Sequence, residues 1–282
     1  MSILDENFVL NNGIKIPKLG TGTWQVSPED VKIQVKNAIK VGYRHIDTAS
    51  QYGNESAIGD TLKEIAIPRE EIFITTKVPA DCKDAESTRK VIDESLNNLK
   101  LDYIDLLLIH SPKPWEDLFA GVEKTYFEEN IEVWNVMIEY LKKGKVRAIG
   151  VSNFAKEDIE NLINNNEIKP VCNQIKVCIG KYPKELIEYC KSENILVEAF
   201  SPISTGDLLK DNRIIKMADK YNVSVPQLTI KYVIQKDIAT FPKARSEEHL
   251  KQNAELDFII SNDDMEYLDN LKDVEMQMWT SC

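Results

Sequence analysis

Eight short apolar runs, segments of helical period between them, and a missing third glycine after the first run together predict an α/β fold, a closed (β/α)8 TIM barrel. Runs that alternate with helices at roughly 30-residue spacing imply right-handed βαβ units around a parallel sheet. An open dinucleotide-binding sheet would carry G-x-G-x-x-G between its first strand and helix, whereas Gly20 to Gln25 reads G-T-G-T-W-Q.

The elements follow in order. "FVL" and "IKI" flank the turn residues Asn11, Asn12 and Gly13, a hairpin signal ahead of the barrel. The first barrel run is "KLGTGTW" (18–24). A helix follows in "SPEDVKIQVKNAIKVG", with Ser27 as N-cap, Pro28 at the first helical position, Asp30 three residues after the cap and Gly42 as the stop. "RHID" (44–47) is the second run, and the polar stretch after it, up to residue 60, reads as a loop with turn residues, too polar for core. The remaining runs are "IFITTK" (72–77), "IDLLLIH" (104–110), "VRAIGVS" (146–152), "VCNQI" (171–175), "ILVEAF" (195–200) and "IATFP" (238–242). Helical period marks 85–99, 131–143, 156–164, 183–193, 211–221 and 224–235.

Composition narrows the function classes. Of 282 residues, 43% are hydrophobic and 29% charged, which supplies one large core and predicts a single domain over 1–282. Acids outnumber bases 46 to 35, so a nucleic acid or anionic membrane is not the expected partner. No apolar run approaches the ~18 residues of a membrane span, and acids stand where a targeting segment would be basic, so the protein is expected in the cytoplasm, as a monomer. Five cysteines without C-x-x-C spacing and only three histidines give no metal site.

In such a barrel the chemistry sits at the carboxyl ends of the strands. Asp47, Lys77 and His110 end the second, third and fourth runs, so adjacent strands aim all three into one mouth, and Tyr52 lies just beyond Asp47 in a loop that ends with Gly53. Each alone has an ordinary reading as cap, solvated charge or satisfied side chain. Together they have a chemical logic. A free tyrosine is a poor acid at neutral pH, but an adjacent ammonium favours its phenolate, and Asp47 would hold that ammonium in place. About 3 kcal/mol of such preference would poise Tyr52 as a general acid-base. His110, as a donor, would orient a carbonyl oxygen beside it.

These residues are recognisable. "DTASQYGNESAIG" (47–59) resembles the D-T-A-x-x-Y-G-N-E signature of the aldo-keto reductase family, and "GKVRAIGVSNF" (144–154) resembles its second signature; the likeness runs from the hairpin to about Asn253. It implies a barrel closed at the bottom by the hairpin, a nicotinamide cofactor across the top, and Asp47, Tyr52, Lys77 and His110 as the catalytic tetrad with Tyr52 the proton donor. Ser152, Asn153 and Gln174 match the carboxamide-binding residues. Phe200 stands where the family has a tyrosine stacked on the nicotinamide, and Ser201 and Ile203 match the pyrophosphate loop. Gly22, Thr23 and Asp47 complete that end of the cofactor site.

The third signature departs: "FPKARSEEHLKQN" (241–253) keeps Lys243 and Asn253 but has Ala244 for a hydroxyl residue and His249 for an arginine that grips a 2′-phosphate. Lys243 favours NADP(H), with Arg245 near enough in sequence to substitute; NAD(H) is the other possibility. Trp24, Tyr52, His110 and Ser111 are the candidate substrate contacts, with Trp115, Trp279 and the tail "EMQMWTSC" (275–282) completing the wall. Cys178 reads as an inert filler. The expected activity is NAD(P)H-dependent reduction of a small aldehyde or ketone; the alternative is a nucleotide-binding regulatory or scaffold protein on the same fold.

Overall fold

The structure, a computed structural model, describes residues 2–65, 67–274 and 276. The chain opens with an antiparallel hairpin, β1 (Asn7–Val9) and β2 (Lys15–Pro17), in register Phe8 to Ile16. Gly13, at φ 83°, makes its turn. Eight parallel strands follow: β3 (Thr21–Gly22), β4 (His45–Asp47), β5 (Phe73–Val78), β6 (Ile104–Ile109), β7 (Val146–Ser152), β8 (Cys172–Lys176), β9 (Leu196–Phe200) and β10 (Ala239–Thr240). Each pairs with the next, and a parallel bridge between Leu19 and Thr240 joins last to first. Two hydrogen bonds make that seam: Gly20 N–H to the Thr240 carbonyl (2.8 Å) and Thr240 N–H to the Lys18 carbonyl (3.0 Å).

Helices cover the outside. They are α1 (Pro28–Val41), α2 (Glu55–Ile65), α3 (Ala85–Leu99), α4 (Trp115–Phe119), α5 (Phe127–Lys142), α6 (Lys156–Asn165), α7 (Lys184–Ser192), α8 (Asn212–Lys220), α9 (Val225–Ile234), α10 (Glu247–Ala254) and α11 (Asn262–Asp269). The signals at α1 act as expected: the Ser27 hydroxyl accepts from the Asp30 amide, Pro28 sits in the first turn, and Gly42 ends the helix at φ 115°. Among the described residues no helix is long and apolar enough to cross a membrane.

Four helices lie where the residue pattern predicts none. Residues 55 to 60, read as loop, begin α2, and the stretch is largely buried despite its polarity: His45, Asp47, Thr48, Asn54 and Glu55 are all inside. The polar side chains are satisfied internally, which composition does not reveal. Thr76 donates to Glu55 Oε1 (2.7 Å) and Ser95 to its Oε2 (3.2 Å), tying α2 to β5 and α3. The other three, α4, α10 and α11, are short and acidic and bury at most two residues each, too few for a period to stand out.

Strand side chains alternate. Outward residues such as Leu107, Ile109, Ile149 and Val151 pack with helix residues including Trp134 and Met137. Inward residues Leu106, Leu108, Ala148 and Cys172 form a separate cluster that reaches Phe73 and Val171, and the hairpin covers it with Leu10 and Ile16. Asn11 and Asn12 lock this plug by donating to the carbonyls of Pro170 (2.9 Å) and Arg147 (3.3 Å). Each of the two buried aliphatics contributes about 2 kcal/mol by removing its surface from water. The bottom is thereby closed, leaving the carboxyl ends of the strands as the open mouth.

Candidate active site

Asp47, Lys77 and His110 end or follow neighbouring strands β4, β5 and β6, and the structure brings them together at that mouth. Lys77 Nζ donates to Asp47 Oδ1 (2.8 Å) and to the Thr48 carbonyl (2.8 Å). Lys77 is 1% and Asp47 3% exposed, so the ion pair sits in the interior, where only complete hydrogen bonding makes it tolerable. Asp47 meets that condition by accepting from Gln174 Nε2 at its second oxygen (2.8 Å). Burial pushes the Asp47 carboxyl up, and the ammonium with these two hydrogen bonds opposes the push.

Tyr52 closes a short 3-10 turn, Ser50–Tyr52, stopped by Gly53 at φ 68°. The turn is pinned by Ser50, whose hydroxyl donates to the Lys77 carbonyl (2.9 Å). Lys77 Nζ lies 5.2 Å from the centre of the Tyr52 ring, and the His110 ring meets that ring edge-on at 5.8 Å. Burial, then the Lys77 charge, hold His110 well below the usual imidazole range, so it is neutral. A neutral ring carries one N–H, and its Nδ1 is buried with no partner among the described residues. Trp115 stands edge-on to His110 at 5.1 Å, donates to Gln51 Oε1 (3.2 Å) and stacks on Phe119, forming an aromatic wall beside His110.

Ser152, Asn153 and Gln174 join the same network. Ser152 Oγ donates to the Gln174 carbonyl (2.9 Å), and Asn153, held at φ 59°, donates to the His110 carbonyl (3.0 Å) and to Ser152 Oγ (3.1 Å). Phe200 ends β9, half-buried, and Ser201, Ser204, Thr205 and Gly206 after it all have positive φ. Ile203 lies in this segment, and Ser204 Oγ is buried there with no partner among the described residues. At β3, a Cβ on Gly22 would sit 2.7 Å from the Phe241 carbonyl, and Thr23 donates its amide (3.0 Å) and hydroxyl (3.1 Å) to the Asp47 carbonyl. Trp24 beside them is half-buried.

Past β10 the structure differs from expectation. Arg245, which the sequence offered as a stand-in for the missing arginine, donates to Asp30 Oδ2 (2.6 Å) on α1, and its carbonyl accepts from Asn37 (2.9 Å). The guanidinium is occupied by a carboxylate rather than held ready for a phosphate. Lys243 and His249 are exposed, whereas Asn253 is buried. Ser111 is engaged locally, since its Oγ accepts from the Lys113 amide (3.3 Å) and its carbonyl from Lys83 Nζ (3.0 Å). Cys178 is buried, its thiol pushed up to about 11, which agrees with an inert filler. Met276 lies 3.9 Å from its sulfur, while Trp279 falls outside the described residues.

Two residues that sequence reasoning passed over hold this site. Asn54 accepts from Thr48 Oγ1 (2.9 Å) and donates to the carbonyls of Thr23 (2.9 Å) and Val26 (3.1 Å), stitching the β3 and β4 loops together. Glu198 is wholly buried on β9 next to Gln174; the signal was a lone acid inside the apolar run "ILVEAF", in inward phase with Phe200.

The residues fit a nicotinamide nucleotide on the chemistry of their donor set. Side-chain amides and a hydroxyl collect beside a half-buried aromatic face, and the next loop holds an unpartnered buried hydroxyl at Ser204. Fold and site define a (β/α)8 barrel with a buried, titratable, hydrogen-bonded mouth. The sequence profile of the Aldo/keto reductase family matches residues 17–273, and the chain belongs to that family. Glyoxal reductase of Bacillus subtilis (strain 168) is 39% identical over 272 residues, covering 95% of this chain and 93% of its own. Among solved structures, MGS-M4, an aldo-keto reductase enzyme from a Medee basin deep-sea metagenome library, matches with a TM-score of 0.88 at 35% identity, covering 98% of this chain and 97% of that one. The aldo-keto reductase of Bombyx mori in complex with NADP matches at 0.83 and 32% identity, over 94% and 92% of the two chains.

Proposed function

We propose that this protein reduces small aldehydes or ketones to alcohols with a nicotinamide nucleotide, acting as a cytoplasmic single-domain monomer. The observation that carries the reading is the buried Lys77–Asp47 pair beside the Tyr52 ring, at 2.8 Å and 5.2 Å. An ammonium fixed by a carboxylate makes a neighbouring phenol a better acid, because the charge stabilises the phenolate that proton transfer leaves behind. Tyr52 then gives its proton to the carbonyl oxygen. The single N–H of neutral His110 holds that oxygen in place, and Trp115 keeps water from it. Two of the Lys77 protons are committed to Asp47 and Thr48, so the ammonium cannot turn away from the mouth.

The reduced nicotinamide, when bound, supplies hydride to the carbonyl carbon. Ser152, Asn153 and Gln174 would hold its carboxamide, Phe200 would lie against its ring, and Ser201, Ile203 and Ser204 would receive the pyrophosphate. NADP(H) is favoured by Lys243 and by the likeness to the Bombyx mori enzyme, which binds NADP. The likeness to glyoxal reductase points to small reactive carbonyls, 2-oxoaldehydes among them. The test is initial-rate oxidation of NADPH and NADH in parallel, with methylglyoxal and a nitrobenzaldehyde. Turnover with a preference for NADPH is expected. Nucleotide binding without turnover on either carbonyl would favour the regulatory alternative.

A further inference from the structure

Beneath the mouth lies an acid that the proposed chemistry does not use. Glu198 is 0% exposed and stands opposite Gln174 in the β8–β9 register. Its Oε2 accepts from Gln174 Nε2 (3.3 Å) and from Cys172 Sγ (3.6 Å), and its Oε1 is buried with no partner among the described residues. The same Gln174 nitrogen donates to Asp47 Oδ2 (2.8 Å). A primary amide has two N–H protons, and here both are drawn to carboxyl groups inside the barrel. The amide oxygen is therefore the end left for a ligand at the mouth.

The charges beneath the mouth do not balance. Two carboxyls, Asp47 and Glu198, share one amide, and Lys77 is the one buried cation among the described residues that faces them. The other buried inward titratable groups do not add charge: burial holds His45 down to about 3 and His110 well below its usual range, and burial holds the Cys172 thiol protonated. Lys176, two residues further along β8 in the same phase, is partly exposed and stands opposite Phe200 rather than Glu198. The strands β3 and β7 present Gly22, Gly150 and Ser152, β10 presents Ala239, and Phe241 follows it against His45; none of these ionises. Asp47 keeps the lysine as partner, so Glu198 is the group that stays neutral until the pH rises.

We propose that Glu198 is a positioning residue that acts through Gln174, sharing its amide with Asp47 and setting how much negative charge faces Lys77 beneath Tyr52. This rests on the reductase reading. Burial first, then the Asp47 charge, push the Glu198 carboxyl up to about 7, so the switch falls near neutral pH. Neutral Glu198 leaves Lys77 to Asp47 alone, and the ammonium's field favours the Tyr52 phenolate. Ionised Glu198 offsets part of that field and pulls the Gln174 amide toward itself.

The experiment compares wild type with Glu198→Gln, an isostere of the neutral acid, and with Glu198→Leu, equally unable to ionise. The pH profile of kcat/KM for alcohol oxidation, from about pH 6 to about pH 10, reads the phenolate. Both variants should reach half-maximal rate at a pH lower than wild type by roughly half a unit or more. An infrared titration of the nucleotide-free protein should show a carboxylic-acid band that fades near neutral pH in wild type and is missing from E198Q. Turnover with coincident midpoints, including a uniform loss of rate at every pH, overturns this proposal alone, as does an unchanged infrared titration in E198Q. No turnover by wild type overturns the reductase reading and this proposal with it.

Discussion

The neighbours of Tyr52 hold it at the mouth. The turn that carries it is pinned to β5 through Ser50 and stopped by Gly53, and Asn54 ties the next residues to the β3 loop. Removing only its hydroxyl should therefore leave the architecture alone. Tyr52→Phe is expected to lower kcat for carbonyl reduction by about 100-fold or more while nucleotide affinity, read by quenching of intrinsic fluorescence, stays within about twofold. Undiminished turnover would remove Tyr52 from the role of proton donor. The clustering of Asp47, Lys77 and His110 was legible in the sequence because strand-terminal polar residues in a barrel share one mouth whatever the loops do. Asn54 and Glu198 were not, since a buried polar side chain is distinguished from an exposed one only by the partners that satisfy it, and those partners lie 31 and 24 positions away.

Elements position the site through close contacts that side-chain pattern does not reveal. The helix α2 leans on the end of α3 at Gly59, where a Cβ would fall 2.6 Å from the carbonyl oxygens of Asn98 and Leu99. Alanine at this position gains up to about 1 kcal/mol of helix propensity but must push two backbones apart. The overlap is with backbone, not a flexible side chain, so it wins. Gly59→Ala is expected to lower stability by about 2 kcal/mol, read from the urea midpoint at unchanged slope. An equal or higher midpoint would mean that the α2–α3 spacing yields freely. This glycine shows why the strand-to-helix order was readable while α2 itself was missed: a glycine required by packing resembles one required by a turn.

The same scale governs the nucleotide. Asp30 on α1 occupies the Arg245 guanidinium in an exposed pair, which is weak and salt-screened. Asp30→Ala should release Arg245 and raise the ratio of NADPH to NADH efficiency by about threefold or more. A ratio that stays fixed would show that Arg245 does not reach the nucleotide even when freed. The third signature could not settle this from sequence, because the competitor for Arg245 sits more than two hundred positions earlier in the chain.

Across the whole molecule, the buried acids make stability depend on pH. The Glu198 carboxyl is raised in the fold from 4.5 to about 7, so the folded state binds its proton more tightly than the unfolded chain does. Its contribution is complete below about pH 4.5 and is lost as the pH rises through about 7. Relative to wild type, E198Q should gain stability across that window, by up to about 3 kcal/mol. Thermal melting of both proteins at steps from pH 5 to pH 8 checks it; parallel curves would mean that Glu198 is ionised in the fold throughout. The barrel architecture was readable from the eight runs and their spacing. The pH dependence was not, since it arises where strands distant in sequence converge.

The single bridge between Leu19 and Thr240 has a consequence for synthesis. A chain emerging from the ribosome holds β3 from the outset but cannot complete its ring until residue 240 has left the exit tunnel. Until then both rims of the growing sheet carry unpaired peptide groups, which invite pairing with another nascent copy. The amides of Gly20 and Thr240 form that last join, so their deuterium uptake during refolding should report it later than any pair within β5 to β7.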